Sequence, residues 1–286
     1  MKQYCCLFIV TTVFGWAVSA ASAQPPVPTG WAPDGSFRGS FRIGLPRYER
    51  VVIGQPYSGQ LMDQRVERLP DGKLHTYYAG MQKIWRDSQG RFRMERKFCA
   101  KGAPHTTDFV WNPACPTIIE VRDPVNGSYY TWDSINHVVH RLPLPAAPVA
   151  PARQPAPDST PPVAAPSRTL ESLGVKTIDG VEARGTRYVT VYPAGTLPRR
   201  NTEPLTVSSE EWFAPDLQIR MLATTDDPQF GLMMIDKFED FTRSEPDPNL
   251  FVPPPGFQIL EEMEPFYITW GGVKQFPAMP ANGHWP

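Results

Sequence analysis

Between residues 59 and 142 the chain is cut into short segments by turn-forming residues, which leaves little room for a long helix. Pro70-Asp71-Gly72, Asp87-Ser88-Gln89-Gly90 and Asp123-Pro124-Val125-Asn126-Gly127, with a further turn at 133–136, separate the runs 59–69, 74–85, 91–98, 117–122, 128–132 and 137–142. Glycine supplies positive φ, Asp and Asn hydrogen-bond their own backbone, and proline presets φ while lacking an N–H, so such clusters interrupt strands. Runs of this length between such turns predict an antiparallel meander. In 91–98, Phe92, Met94, Arg96 and Phe98 share one face, with Arg96 the odd member. Arg91, Arg93, Glu95 and Lys97 share the other, so a strand with one solvated face is expected.

The same pattern returns at 182–192, 205–213, 218–225 and 232–241. Between the two series, residues 142–168 hold nine prolines and no aromatic residue. Such a stretch builds no core and is expected to run as an extended spacer loop rather than a peptide ligand. Helical turns are expected only at 167–173 and 247–251, because no window of a dozen residues repeats at 3.6. The expected fold is mainly β: a large curved antiparallel sheet or incomplete β-barrel, with few short helices and a proline-rich inserted loop.

Residues 1–23 carry one basic residue, Lys2, then an apolar run, then Ala21-Ser22-Ala23, the pattern of a cleaved secretory signal. The run falls short of the about 20 apolar residues a bilayer span needs, so no span is expected after cleavage. The protein is read as exported, to the periplasm or beyond the cell. Cys5 and Cys6 leave with the signal, and Cys99 and Cys115 remain to form a disulfide. Closing that loop would stabilise the fold by about 3 kcal/mol.

Residues 24–168 hold 18 basic and 12 acidic side chains, and residues 169–286 hold 9 and 17. Two opposite, individually small halves favour one sheet built from both, since a lone half would bury little and leave open edges. The expected layout is a signal at 1–23, an extended segment at 24–47, one β-rich domain at 48–260 interrupted at 142–168, and an aromatic tail at 261–286, part of which packs back on the body.

Two sets of residues carry a family resemblance. The first is Ile118-Ile119-Glu120-Val121-Arg122-Asp123-Pro124 with Gly127, Tyr130, Trp132-Asp133, His140 and Leu142-Pro143. The second is Glu211-Trp212-Phe213-Ala214-Pro215-Asp216-Leu217, Asp227-Pro228, Gly231 and Asp247-Pro248-Asn249-Leu250-Phe251-Val252-Pro253 with Gly256-Phe257. Over residues 58–260 this rhythm resembles exported lipoprotein-carrier-like proteins. The resemblance implies an incomplete antiparallel β-barrel whose concave, apolar face holds acyl chains. The proline-rich insert and the tail after 260 depart from it, no functional residue is carried over, and fold alone does not transfer lipoprotein transport.

Chemistry-bearing residues are sparse. His137 and His140, three apart on a strand, point to opposite faces and would not share a metal. His75 is expected half-buried, and His105 lies in the disulfide loop. The acid doublets Glu210-Glu211 and Glu261-Glu262 diverge on a strand and are expected to be solvated. Ser36, Ser58, Ser208 and Ser209 lack a nucleophile elbow, Asn126-Gly127-Ser128 reads as a turn, and Glu95 interrupts the basic strand that would otherwise suggest nucleic acid.

What remains is an apolar surplus: Trp85, Phe92, Met94, Trp212, Met221, Met233, Met234 and Phe238. Met and aromatic side chains suit an adaptable cavity, although ordinary core packing also accounts for them. Trp85, Phe92, Met94, Trp212, Met221, Met234 and Phe238 are the candidate ligand-binding residues; no catalytic residue, metal or cofactor is expected. The function expected is a non-enzymatic carrier with a hydrophobic ligand. The alternatives are an envelope interaction or sensory protein that binds a protein partner, and, more remotely, a secreted hydrolase.

Overall fold

The computed structural model describes residues 30–31, 37–97, 116–147, 165–197, 201–229 and 231–270. Residues 1–23, the proline-rich core at 148–164, His105, Cys99 and Cys115 lie outside them. Strands β1 (Gly30–Trp31) and β2 (Phe37–Ile43) precede a first meander: β3 (Tyr57–Arg68), β4 (Leu74–Arg86), β5 (Phe92–Lys97), β6 (Thr117–Asp123), β7 (Ser128–Asp133) and β8 (Val138–Pro143). A second follows: β9 (Ser167–Ile178), β10 (Val181–Tyr192), β11 (Leu205–Ala214), β12 (Ile219–Asp227) and β13 (Leu232–Thr242). A 3-10 turn (Pro248–Phe251), β14 (Gln258–Glu261) and β15 (Phe266–Trp270) complete the described chain.

Strands from both sides of the proline-rich stretch form one twelve-stranded sheet, ordered β14-β8-β7-β6-β5-β4-β3-β13-β12-β11-β10-β9. Only its β14–β8 pair is parallel. The two meanders meet along β3 and β13, and β14 and β9 remain as edges, so the sheet does not close into a barrel. It bends: Arg86 of β4 donates to the Leu217 carbonyl beside β12, at 2.8 Å. Those elements lie three strands apart, about 14 Å in a flat sheet.

Three apolar clusters follow from the strand alternation. On the inner face, Tyr57, Ile84, Ala183, Trp212, Met221 and Phe238 share a buried cluster. Farther along that face, Ile118, Tyr129 and Leu142 are covered by Ile43, Ile268 and Trp270 from a separate sheet ordered β1-β2-β15. Part of the aromatic tail, Phe266–Trp270 of β15, therefore packs back on the body. On the outer face, Ile119, Val121, Trp132 and Val139 pack against Phe251, which Asp247 positions by capping the Asn249 N–H at 2.9 Å.

Three local expectations need correction. Residues 167–173 form no helical turn; they open β9, held by a hairpin to β10. Its turn residues Asp179 and Gly180 have φ of 49° and 78°, the positive pair a tight hairpin requires. The face of β5 read as solvated is instead half-buried, because Arg93 lies over the Trp132 ring at 5.2 Å and donates to the Leu250 carbonyl at 2.7 Å. Outer-face packing by the 3-10 turn, invisible to strand period, overrides that pattern. His75 is exposed, since it sits at the open start of β4.

Asp63 and Asp236 face each other directly across the β3–β13 seam. Burial first, then the Asp236 charge, raises the Asp63 pKa above its ordinary 3.8, while Arg65 opposes both. The folded state thus holds the Asp63 proton more tightly than the unfolded chain. The resulting stability is complete below about 3.8 and is lost as pH rises through the raised folded value. Asp63→Asn is expected to stabilise the protein at pH 7 by about 0.2–1 kcal/mol, the range for opposed like charges. In urea unfolding the gain should shrink at acid pH; a loss of stability at pH 7 would contradict this account.

Candidate functional site

The structure brings together five of the seven candidate residues. Trp212, Met221 and Phe238 are buried in the inner cluster, and Phe92 and Met94 pack against it. A register shift between Trp212 and Phe213 on β11, paired with β12, lets Trp212, Met221 and Leu222 contribute to one cluster. Gly185, opposite Trp212, makes room for its ring: a Cβ there would lie 2.7 Å from the indole and 2.8 Å from Leu173 Cβ. Lys176 covers the same ring at 3.7 Å. These side chains fill one another's space, as a core does.

Trp85 does not join them. It pairs with Arg93, whereas Phe92 and Met94 point the other way, and it packs in the outer cluster. Period-two alternation forces that separation from its neighbour Ile84. Met234 is half-buried, paired with Arg65 and Thr225 away from the cluster.

Where the packed cluster ends, a cavity of about 420 Å³ remains between the sheet and the segment 47–52 that crosses its inner face. Tyr57, Arg86 and Phe92 line one side, Gln218 and Ile219 another, Arg122 and Leu144 a third, and Val51 and Val52 the crossing segment. Several contacts fix that segment. Arg122 donates through Nη1 to the Arg47 carbonyl at 2.8 Å and pairs through Nη2 with Glu49 at 3.0 Å. The Gly54 N–H donates to the Ser88 carbonyl at 2.8 Å. Gly90, at φ 82°, admits the segment closely, because a Cβ there would lie 2.6 Å from Val51 Cγ1.

That turn is itself built on Asp87, which is 1% exposed. Its carboxylate accepts from the N–H groups of Gln89 at 3.0 Å and Arg91 at 2.8 Å, and from Arg91 Nε at 2.6 Å. Arg86, 6% exposed, donates Nε to the Gln55 carbonyl at 2.9 Å and lies over the Tyr57 ring at 4.6 Å. Burial pushes the Tyr57 hydroxyl up to about 12, against the opposing Arg86 charge, so it remains a neutral phenol near neutral pH. Sequence reasoning missed Arg86, Tyr57 and the crossing segment as site residues, and placed Arg122 only within a turn motif; strand register sets Tyr57, Arg86, Phe92 and Arg122 in one cross-strand row, and the bend of the sheet brings Leu217 against it.

The other chemistry-bearing residues are dispersed. Glu210 pairs with Arg187 at 2.7 Å, and Glu211 approaches Arg220 at 3.8 Å. Glu261 is exposed, as expected, while Glu262 is half-buried; they pair with Arg141 and His140 of β8 at 2.9 and 2.8 Å and so hold β14 to that strand. Parallel pairing of β14 places the doublet beside those cations. His140 also stacks on Phe266, and His137 lies against Phe257, so the two histidines diverge. Among the described residues no group of three His, Cys, Asp or Glu side chains converges as a metal site, and no helix is long and apolar enough to cross a membrane.

No protein-family model and no curated protein matches the chain. Among solved structures it is similar to an uncharacterized conserved protein from Thermus thermophilus, at 9% identity and a TM-score of 0.36 over 73% of this chain and 91% of that one. It is similar to the Pseudomonas aeruginosa MucA/MucB complex structure at 13% identity and a TM-score of 0.34, over 72% of this chain and 58% of that one. A putative outer membrane lipoprotein-sorting protein domain from Vibrio parahaemolyticus gives 9% and 0.25, over 69% and 89%. Likeness at this level assigns neither a family nor a function.

Proposed function

We propose that the chain is an exported, non-enzymatic binding protein that holds a hydrophobic ligand, such as a lipid, against the inner face of its open sheet. The observation that carries this reading is the cavity of about 420 Å³ that continues the apolar inner cluster. Its size falls within the roughly 300–1,000 Å³ of small-molecule sites. Tyr57, Phe92 and Ile219 belong both to the cavity wall and to the cluster or its edge. The export address rests on residues 1–23.

Titration of the mature protein with Nile red, a neutral apolar dye, is expected to give a saturable blue-shifted emission. Substituting Phe92 by Asp should weaken it by introducing a charge at the wall. A signal that does not saturate, or that Phe92→Asp leaves untouched, would contradict the reading.

A second reading, an envelope interaction protein without a small ligand, draws on β9. This twelve-residue edge strand is exposed along almost its whole length, with Leu170 at 67% and Val175 at 59%. Open edges of this kind accept a strand from another chain. Absence of saturable dye binding would favour it.

A further inference from the structure

The cavity is apolar in part, but its charge is one-sided. Arg47, Arg50, Arg86 and Arg122 line it against a single carboxylate, Glu49, which Arg122 already engages. Elsewhere in the sheet, half-buried arginines are matched: Arg91 by Asp87, Arg93 by Glu95, Arg96 by Glu120. Arg86 is more deeply buried than any of these and pairs with no carboxylate among the described residues. A buried cation without a counter-ion is costly to the fold. Tyr57, whose ring Arg86 covers, stays neutral and offers only that ring.

Two of the three guanidinium nitrogens are used by carbonyls, Nε by Gln55 and Nη2 by Leu217. Nη1 has no protein partner among the described residues and is not sealed from solvent, which leaves it for the cavity that Arg86 lines. Carbonyl contacts on two nitrogens fix the plane of the group, so the free nitrogen is held in place before any ligand arrives. Arg50 on the crossing segment makes no hydrogen bond or ion pair among the described residues and adds charge to the cavity lining. Beside these cations stand Val51, Val52, Phe92, Ile219 and Leu144.

Resting on the binding reading above, we infer that this cavity takes the anionic head of an amphiphile, a carboxylate or phosphate joined to an apolar chain. Arg86 at the sheet provides the fixed cation, and the valine-bearing segment 47–52 covers the apolar part. The site thereby selects acidic over neutral apolar ligands. Desolvated, charge-assisted contacts of this type are stronger than neutral hydrogen bonds and supply the discrimination.

The test is calorimetric titration of the mature protein with decanoate, decyl phosphate, decan-1-ol and inorganic phosphate. The inference expects both anionic amphiphiles to bind at least about 10-fold more tightly than decanol, with inorganic phosphate far weaker than decyl phosphate. Decanoate exceeding decyl phosphate would identify a carboxylate head, and the reverse a phosphate head. Arg86→Met should bring the acids down to the level of decanol, with Arg86→Lys intermediate. Should Arg86→Met fail to fold, Arg50→Glu on the exposed segment must weaken the acids several-fold more than it weakens decanol. Equal binding of acids and alcohol would overturn the inference while leaving the carrier reading intact. Inorganic phosphate binding as tightly as decyl phosphate would also overturn it. Binding of none of the four would remove both.

Discussion

Replacing Phe238 with alanine is expected to destabilise the protein by about 3–5 kcal/mol, the range for deleting a buried aromatic side chain. Phe238 is 4% exposed and stands on β13 opposite Leu61 of β3, the seam where the two meanders join. It meets Tyr57 edge-on at 6.0 Å and Phe241 at 5.7 Å, while Tyr57 and Phe241 stack at 5.3 Å. Gly59 lets two of these rings approach, because a Cβ there would come within 3.2 Å of both Phe238 and Phe241. Removing the central ring leaves a void bounded by both meanders, so collapse from one side alone would not fill it. Urea unfolding followed by tryptophan fluorescence and by far-UV circular dichroism should show one shifted, coincident transition. A cost below about 1 kcal/mol, or two separate transitions, would mean that the meanders fold independently.

Asp87→Ala is expected to cost about 3–5 kcal/mol, as breaking a buried ion pair from one side does. It would strand the Arg91 guanidinium, 16% exposed, together with the two backbone N–H groups that the carboxylate satisfies. The same turn carries Gly90 and Ser88, which seat the crossing segment and accept the Gly54 N–H. Asp87→Ala should therefore also weaken ligand binding, whereas Asp87→Asn, which retains an acceptor oxygen, should lose less of both. Thermal unfolding and the dye titration measure the two effects. A stability loss under about 1 kcal/mol would show that the turn holds without its carboxylate.

The strands are legible where turn chemistry is local. Asp123 and Asp133 show why: each accepts the N–H groups two and three residues ahead, and each also accepts from the side chain of the Asn three ahead, Asn126 or Asn136. A short motif of this kind needs no tertiary partner to form. The 3-10 turn is legible for the same reason, through Asp247. Edge strand β9 is not, because only its pairing with β10 makes that polar run a strand; the Asp179-Gly180 hairpin is its one local signal. β14 has no local signal, since a parallel pairing to β8 joins residues more than a hundred positions apart.

The candidate site is legible in its residue types and not in its arrangement. Met and aromatic side chains stand out as a group, and Phe92, Met94, Trp212, Met221 and Phe238 do converge. Face parity places Trp85 elsewhere, and convergence makes core of residues expected as cavity wall. The cavity itself depends on Arg86 and Arg122, which β4-β5-β6 register sets in one row through Phe92, and on the segment 47–52 that Arg122 holds across it, a placement no local pattern announces. Arg86 in particular ends a strand next to a turn, where an arginine ordinarily reads as solvated.

Native mass spectrometry of the mature protein purified gently from its own envelope, with solvent extraction of whatever accompanies it, bears most directly on the carrier reading. A charge-state series displaced by the mass of one bound acidic lipid-like molecule, recovered in the extract and lost in Arg86→Met, is the predicted result. A series at the bare polypeptide mass, with no apolar compound in the extract, would contradict it.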